Sequence, residues 1–233
     1  MKKLLMCLIM LSIIAGGIAA DRKALKDVDP DSFTSDTQVS PKGAGDDHAA
    51  IVWWIPHEFW KSILARDNTM SYADKQAMLD AMAGISLMAV VQADITSFGA
   101  FQFYTKDEIE QKMTISFTNA EGKRKQLSSL KTIDPNLEVV LGVFTPTLGA
   151  AMGNLGKNLH FYVLDDESYS GRIIDPYKTG EIGIELTRRD GKTLNTTVAL
   201  PINALFVPRK CPNGRDAHIT WKYCPWTGKK LAD

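Results

Sequence analysis

Little in this 233-residue chain announces a chemistry. Three cysteines and four histidines are too few for a disulfide-rich or metal-rich scaffold, and nothing in the composition requires either for stability. There is no internal repeat and no low-complexity tract, which removes solenoids and tandem arrays from consideration. A Gly-x-Ser-x-Gly elbow, a P-loop and a dinucleotide glycine pattern are all missing. His57-Glu58 begins like a metalloprotease helix, but Lys61 stands where the second histidine would be. Charge of one sign is lacking too, with 27 basic against 27 acidic side chains. Near-neutrality argues against a general nucleic-acid binder, which gains affinity by releasing counterions from a basic footprint. No cofactor is called for.

What is present begins with MKKLLMCLIMLSIIAGGIAAD: two lysines, an apolar run and a small-residue end. This is the anatomy of a secretory signal over residues 1–20, with retention as a membrane anchor the alternative. Cys7 lies inside the apolar run as a passenger. Residues 21–50 are polar, with Pro30, Pro41, Gly43 and Gly45, and read as a flexible arm. Residues 51–233 read as a single α+β domain, a mostly antiparallel sheet with packed helices and a disulfide-stapled C-terminal hairpin.

The element signals are local. Pro56 suits the first turn of a helix running to about Ala65. Ser71 with Asp74, and Thr105 with Glu108, have the spacing of helix caps. The run LMAVVQADI, 87–95, and LHFYVL, 159–164, favour strands, and Met113, Ile115 and Phe117 alternate with polar residues as a half-buried strand. The clearest hairpin pairs Ile182, Ile184 and Leu186 with Leu194, Thr196 and Val198 around Asp190-Gly191. Val139–Gly156 carries no charge and reaches the lower edge of membrane length, but Pro146 and four glycines interrupt it. That predicts a buried helix pair rather than a span.

The tail, CPNGRDAHITWKYCPWTGKKL, holds Cys211 and Cys224, the two cysteines left after signal removal. In an exported protein such a pair is most simply a disulfide, closing a loop of about 14 residues for roughly 3 kcal/mol. Zinc would need four ligands, and Cys211, Cys224 and His218 supply three with Asp216 a poor fourth; free thiols are the remaining option.

Two groups of residues are candidates for function. His160 with Asp165, Asp166 and Asp175 could do acid/base work near the end of a strand. All five tryptophans lie near the domain ends, and Trp53, Trp54, Trp221 and Trp226 form the candidate ligand-binding set. Trp53 and Trp54 are adjacent, so on a strand they face opposite ways and one is expected to stay accessible. Lys222, Lys229 and Lys230 would add attraction for anionic groups.

The stretch KYCPWTGKKL resembles one knuckle of a zinc ribbon, with Thr227 where the second cysteine of Cys-Pro-x-Cys-Gly would stand. The tail is thus similar to a degenerate ribbon lacking half its ligands, which implies a turn geometry only. Together WWIPHEFW, MGNLGKNLHFYVL and WKYCPWTGKKL resemble an uncharacterised family of exported bacterial proteins, a resemblance that assigns no activity. The resulting expectation is a periplasmic or secreted binding or structural module, partnered by an envelope protein, peptide or glycan, without nucleic acid and without a transmembrane span once the signal is removed. The alternative is a hydrolase or other acid/base enzyme built on His160, Asp165, Asp166 and Asp175.

Overall fold

The computed structural model describes residues 20–43, 45–169 and 171–231; the expected leader lies outside them. The described chain divides into two compact units, residues 22–207 and a C-terminal unit from residue 208 onward. This replaces the single domain expected from residue 51.

In chain order the helices are α1 (Pro30–Thr37), α2 (His57–Arg66), α3 (Tyr72–Ala81), α4 (Lys106–Lys112) and α5 (Pro135–Ala151). The strands of the larger unit are β1 (Gln38–Val39), β2 (His48–Ile55), β3 (Ile85–Ile95), β4 (Phe101–Phe103), β5 (Met113–Asn119), β6 (Arg124–Leu127), β7 (His160–Asp165), β8 (Glu167–Ser168), β9 (Gly171–Arg172), β10 (Gly180–Thr187) and β11 (Thr193–Leu200). The C-terminal unit adds β12 (Arg209–Lys210) and β13 (Asp216–Ala217).

All ladders are antiparallel. One sheet runs β1-β2-β3-β4, with β7 also paired to β3; the other runs β11-β10-β5-β6. The α+β class is therefore as expected from the sequence. The β10–β11 register pairs Ile182 with Val198, Ile184 with Thr196 and Leu186 with Leu194, as their alternation predicts. Thr105 and Glu108 form a reciprocal capping box at α4, and the Ser71 hydroxyl accepts from the Asp74 amide at the start of α3. Each cap satisfies amides that a helix start would otherwise leave bare.

Three expectations change. The segment expected as a flexible polar arm carries α1, capped by Asp29, and buries Val28, Phe33 and Thr37 completely. With Pro41, His48 and Ala50 these buried residues are scattered among polar ones, so the stretch does not read as part of a core. The predicted helix pair is one helix, α5, which continues through Pro146. It is also largely uncovered: Leu137 is buried, but Val139 and Val143 are 68% and 63% exposed. Among the described residues, no helix is long and apolar enough to cross a membrane.

The third change concerns Trp53 and Trp54, which are 5% and 0% exposed. They do face opposite sides of β2, as adjacent strand residues must, but both sides are covered. Trp53 packs edge-on to Phe59 at 5.3 Å between ring centroids, and Phe59 meets Phe33 and Trp60 at 5.6 Å. The Trp53 indole N–H donates to the Thr37 hydroxyl at 3.1 Å, tying the sheet to α1. These tryptophans are core, and neither offers a ligand surface.

Trp53→Ala should lower the unfolding free energy in urea by about 3–5 kcal/mol, the range for emptying an aromatic site in a core. Thr37→Val keeps the volume but leaves the indole N–H without its acceptor and should cost about 1–3 kcal/mol. A Trp53→Ala protein as stable as the parent would contradict this packing.

Candidate binding surface in the C-terminal unit

Residues 208–231 build two small hairpins headed by Cys-Pro turns. In the first, the Gly214 amide donates to the Cys211 carbonyl at 2.8 Å and the Cys211 amide to the Arg215 carbonyl at 2.8 Å. In the second, the Gly228 amide donates to the Cys224 carbonyl and the Cys224 amide to the Lys229 carbonyl, both at 2.8 Å. Gly214 and Gly228 have φ of 82° and 68°, left-handed conformations that side chains resist, so glycine closes each turn. Cys211, Ala217, Cys224 and Leu231 are the buried cluster beneath the turns.

The two cysteines are not a disulfide. Both are free, buried thiols, and their sulfurs lie 2.6 Å apart without a bond. The expected staple is therefore not formed. Burial alone would raise the Cys224 thiol, but hydrogen bonds from Cys211, from the Thr227 hydroxyl and from the Trp226 and Thr227 amides outweigh it and bring the pKa down to about 7. Burial and the neighbouring Cys224 push Cys211 up to about 11. The two thiols are thus held unequal, Cys224 lowered and Cys211 raised from the ordinary value. His218 turns to Thr220, with Nδ1 2.8 Å from its hydroxyl oxygen, and stacks obliquely on Trp221 at 5.9 Å. Among the described residues, no cluster of three or more His, Cys, Asp or Glu is placed to hold a metal ion.

The aromatic residues of this unit face outward. Trp221, Tyr223 and Trp226 are 39%, 60% and 47% exposed, and the two indoles meet edge-to-face with centroids 6.0 Å apart. The Arg215 guanidinium lies over the Trp226 ring at 5.1 Å, and Arg209 donates to the Trp221 carbonyl. Six lysines and arginines against Asp216 alone give residues 208–231 a net charge of +5, whereas residues 22–207 hold nineteen against twenty-four, a net −5. Lys210 pairs with Asp216; Lys222 and Lys229 make no ion pair among the described residues. Aromatic faces combined with lysine side chains on long, flexible stems form a surface that can bind a flat or ring-shaped anionic partner.

The acid/base candidates are not assembled. His160 opens β7 and Asp165 ends it, about 16 Å away along an extended strand. Burial holds the His160 imidazole below its ordinary pKa, and its Nε2 lies 3.2 Å from the Tyr104 carbonyl. Asp165 accepts from the Glu167 amide. Asp166 is buried, accepting from Arg172 Nε at 2.9 Å and from the Ile174 amide at 2.7 Å. Asp175 caps its own turn through the Tyr177 amide and pairs with Lys178 at 3.3 Å. His160 lines a cavity of about 490 Å³ with Glu110, Ser129 and Lys131, and none of the three aspartates reaches it. His48 and Asp94 form a closer dyad at 2.8 Å, but the other ring nitrogen faces Gln92 at 3.3 Å and the histidine is 3% exposed. A base capped on both nitrogens has no place for a substrate proton.

Sequence reading missed Arg209 and Arg215 because chain-wide neutrality hid two opposite halves. Counting charge over the last 26 residues alone would have found them.

The thiol pair predicts a specific pH dependence. Cys224, lowered from 9.0 to about 7, contributes stability that is fully present above pH 9 and is lost as pH falls through about 7. Cys211, raised from 9.0 to about 11, contributes stability that is present below pH 9 and lost as pH rises through about 11. Thiolate ultraviolet absorbance should therefore rise in two separate steps, and Cys224→Ser should remove the lower one. Peptide mapping after alkylation of the denatured chain without reductant should find both cysteines modified; a crosslinked peptide would contradict the free pair.

Comparison with known protein families, characterised proteins and solved structures returns no match, so the chemistry of this surface is read from its own geometry.

Proposed function

We propose that the protein is an exported binding module that holds an anionic glycan of the cell envelope on the Trp221–Trp226 face. The observation that carries this reading is the exposed indole pair set within a unit of net charge +5. Sugar rings present apolar C–H faces that lie well on aromatic rings, and carboxylate or phosphate substituents attract Lys222, Lys229 and the arginines. The larger unit, at net −5, repels the same polymer, so contact is confined to one end of the chain. Export rests on the composition of residues 1–20. It favours a glycan over a nucleic acid as the polyanion met there. The acid/base alternative receives no support from His160 and the three aspartates, which do not converge.

Retention of the full chain on an immobilised acidic polysaccharide should exceed retention on a neutral one and should fall as salt rises, since exposed charges are screened within about 10 Å at 0.1 M. Trp221→Ala and Trp226→Ala should each weaken binding by roughly tenfold, the cost of an aromatic contact residue, with the melting temperature nearly unchanged. Equal retention on both matrices, or tighter binding to a single-stranded oligonucleotide, would overturn the glycan reading. Intact mass of protein recovered from an expressing bacterium should show loss of the leader; full-length protein confined to the cytosol would contradict export.

A further inference from the structure

The cavity beside His160 runs along a strand edge that lacks a partner. β7 pairs with β3 alone, in a register that sets Phe161 opposite Ala89 and Tyr162 opposite Met88. In an antiparallel ladder the N–H and C=O groups of successive residues point to opposite edges. The Tyr104 amide donates to the Gln92 carbonyl at 2.9 Å as β4 ends, so the even-numbered residues of β3 point toward β4 and β7. Tyr162 therefore bonds to β3, while Phe161 and Val163 point away from it. The Leu130 amide agrees, donating to the Val163 carbonyl at 2.8 Å from the outer side.

That bond, next to the Ser129–Leu164 bridge, closes one end of the outer edge. At the other end the Leu159 amide donates to the Gly156 carbonyl at 3.2 Å. Between them, the Val163 N–H, the Phe161 C=O and N–H and the Leu159 C=O have no backbone partner among the described residues. The cavity of about 490 Å³ lies along this edge, walled by Lys106 and Glu110 of α4 and by Leu141, Gly142 and Thr145 of α5. Leu159, Phe161 and Val163 are only 6%, 8% and 4% exposed, so the edge is recessed between the two helices. A second copy of the chain, with its own β7 recessed in the same way, cannot bring that edge to this one. A single extended strand can, and an antiparallel peptide offers the complementary donors and acceptors in one row, its central residue exchanging two bonds with Phe161.

The walls set what that peptide carries. Trp53, Ala89 and Phe161 are in register and share the face of the sheet that Phe59 of α2 covers. Trp60 of α2 meets Phe144 of α5 at 4.9 Å, which places α5 on that side. Tyr162 faces the other way, its hydroxyl donating to the Lys106 carbonyl at 2.8 Å. A peptide residue opposite Phe161 shares the Phe161 face and points toward Leu141 and Gly142. Nothing lies within 4 Å of where a Cβ on Gly142 would be, which leaves room for an apolar side chain. The flanking peptide residues turn to the α4 wall. There Glu110 is engaged by the Ser129 hydroxyl at 2.5 Å and by Lys131 at 2.6 Å, whereas Lys106 makes no ion pair among the described residues. A carboxylate is its complement.

We infer that this cleft docks an extended peptide of a partner protein, added antiparallel to β7, with an apolar residue opposite Phe161 and acidic residues beside it. The test uses full-length protein labelled with ¹⁵N-phenylalanine and ¹⁵N-valine, and acetyl-Thr-Glu-Val-Glu-Thr-amide as the probe. Titration should move the Phe161 and Val163 amide resonances saturably and slow their exchange with solvent. The same peptide N-methylated at its valine loses the donor to the Phe161 carbonyl and should bind roughly tenfold more weakly. A peptide with lysine in place of both glutamates should also bind more weakly, and Lys106→Ala should shrink that preference. Gly142→Leu puts a side chain into the cleft and should abolish binding; replacing a glycine inside a helix should leave the melting temperature unchanged or higher. The methylated peptide is tested on unaltered protein, so the answer stands even where a variant misfolds. Phe161 and Val163 amides unmoved by the probe, equal binding of the methylated peptide, or full binding by folded Gly142→Leu would each overturn the proposal. None of these readouts involves the Trp221–Trp226 surface, which Trp226→Ala tests separately.

Discussion

The larger unit is organised by the need to cover both faces of one strand. Residues 86–93 of β3 are all buried, so this strand can be stable only with a neighbour along each edge and packed elements on each side. Its edges are met by β2 on one side and by β7 and β4 in succession on the other. Burial of Trp53 and Trp54 on opposite faces of β2 follows from the same requirement, because a partner strand of a two-faced core is itself covered twice. The docking of α1 through Phe33 and Thr37 is part of that cover.

Arginine side chains fasten the periphery to this core. Arg189, just past β10, is bound by Glu108 at 2.9 and 3.0 Å, by Asp94 at 3.1 Å and by the Phe103 carbonyl at 3.0 Å, and its guanidinium lies 4.0 Å over the Tyr104 ring. It joins the tip of the β10–β11 hairpin to the first sheet. The Arg189 guanidinium, with the Thr105 amide, holds Glu108 down to about 2. Arg172 plays the matching part at the other end of β3, holding Glu58 of α2 against Asp166. There burial is deeper and raises the Asp166 carboxyl despite the guanidinium beside it. The first arginine has every donor direction in use, and the second has one left over.

The functional contrast between the two units has the same physical origin. The larger unit spends its aromatic residues on a core, so Trp53, Trp54 and Trp60 disappear from the surface. The C-terminal unit buries Cys211, Ala217, Ile219, Cys224 and Leu231, while Trp221, Tyr223 and Trp226 stay exposed. Exposed aromatic residues and an excess of cations are therefore concentrated on a short segment, and a binding reading centres there rather than on the carboxylates after β7.

By itself the sequence determined what depends on neighbours along the chain. The Thr105–Glu108 box, the Ser71 cap, the β10–β11 register around Asp190-Gly191 and the turns at Gly214 and Gly228 all follow from residues within a few positions of one another, where backbone geometry and local hydrogen bonding decide. Tertiary structure decided whatever depends on approach from elsewhere. Trp53 and Trp54 looked half-available because alternation cannot say whether both faces of a strand are covered. Residues 21–50 looked loose because their buried side chains are diluted among polar ones. Cys211 and Cys224 looked like a crosslink because spacing along the chain suggests that two sulfurs can meet and does not say whether they bond.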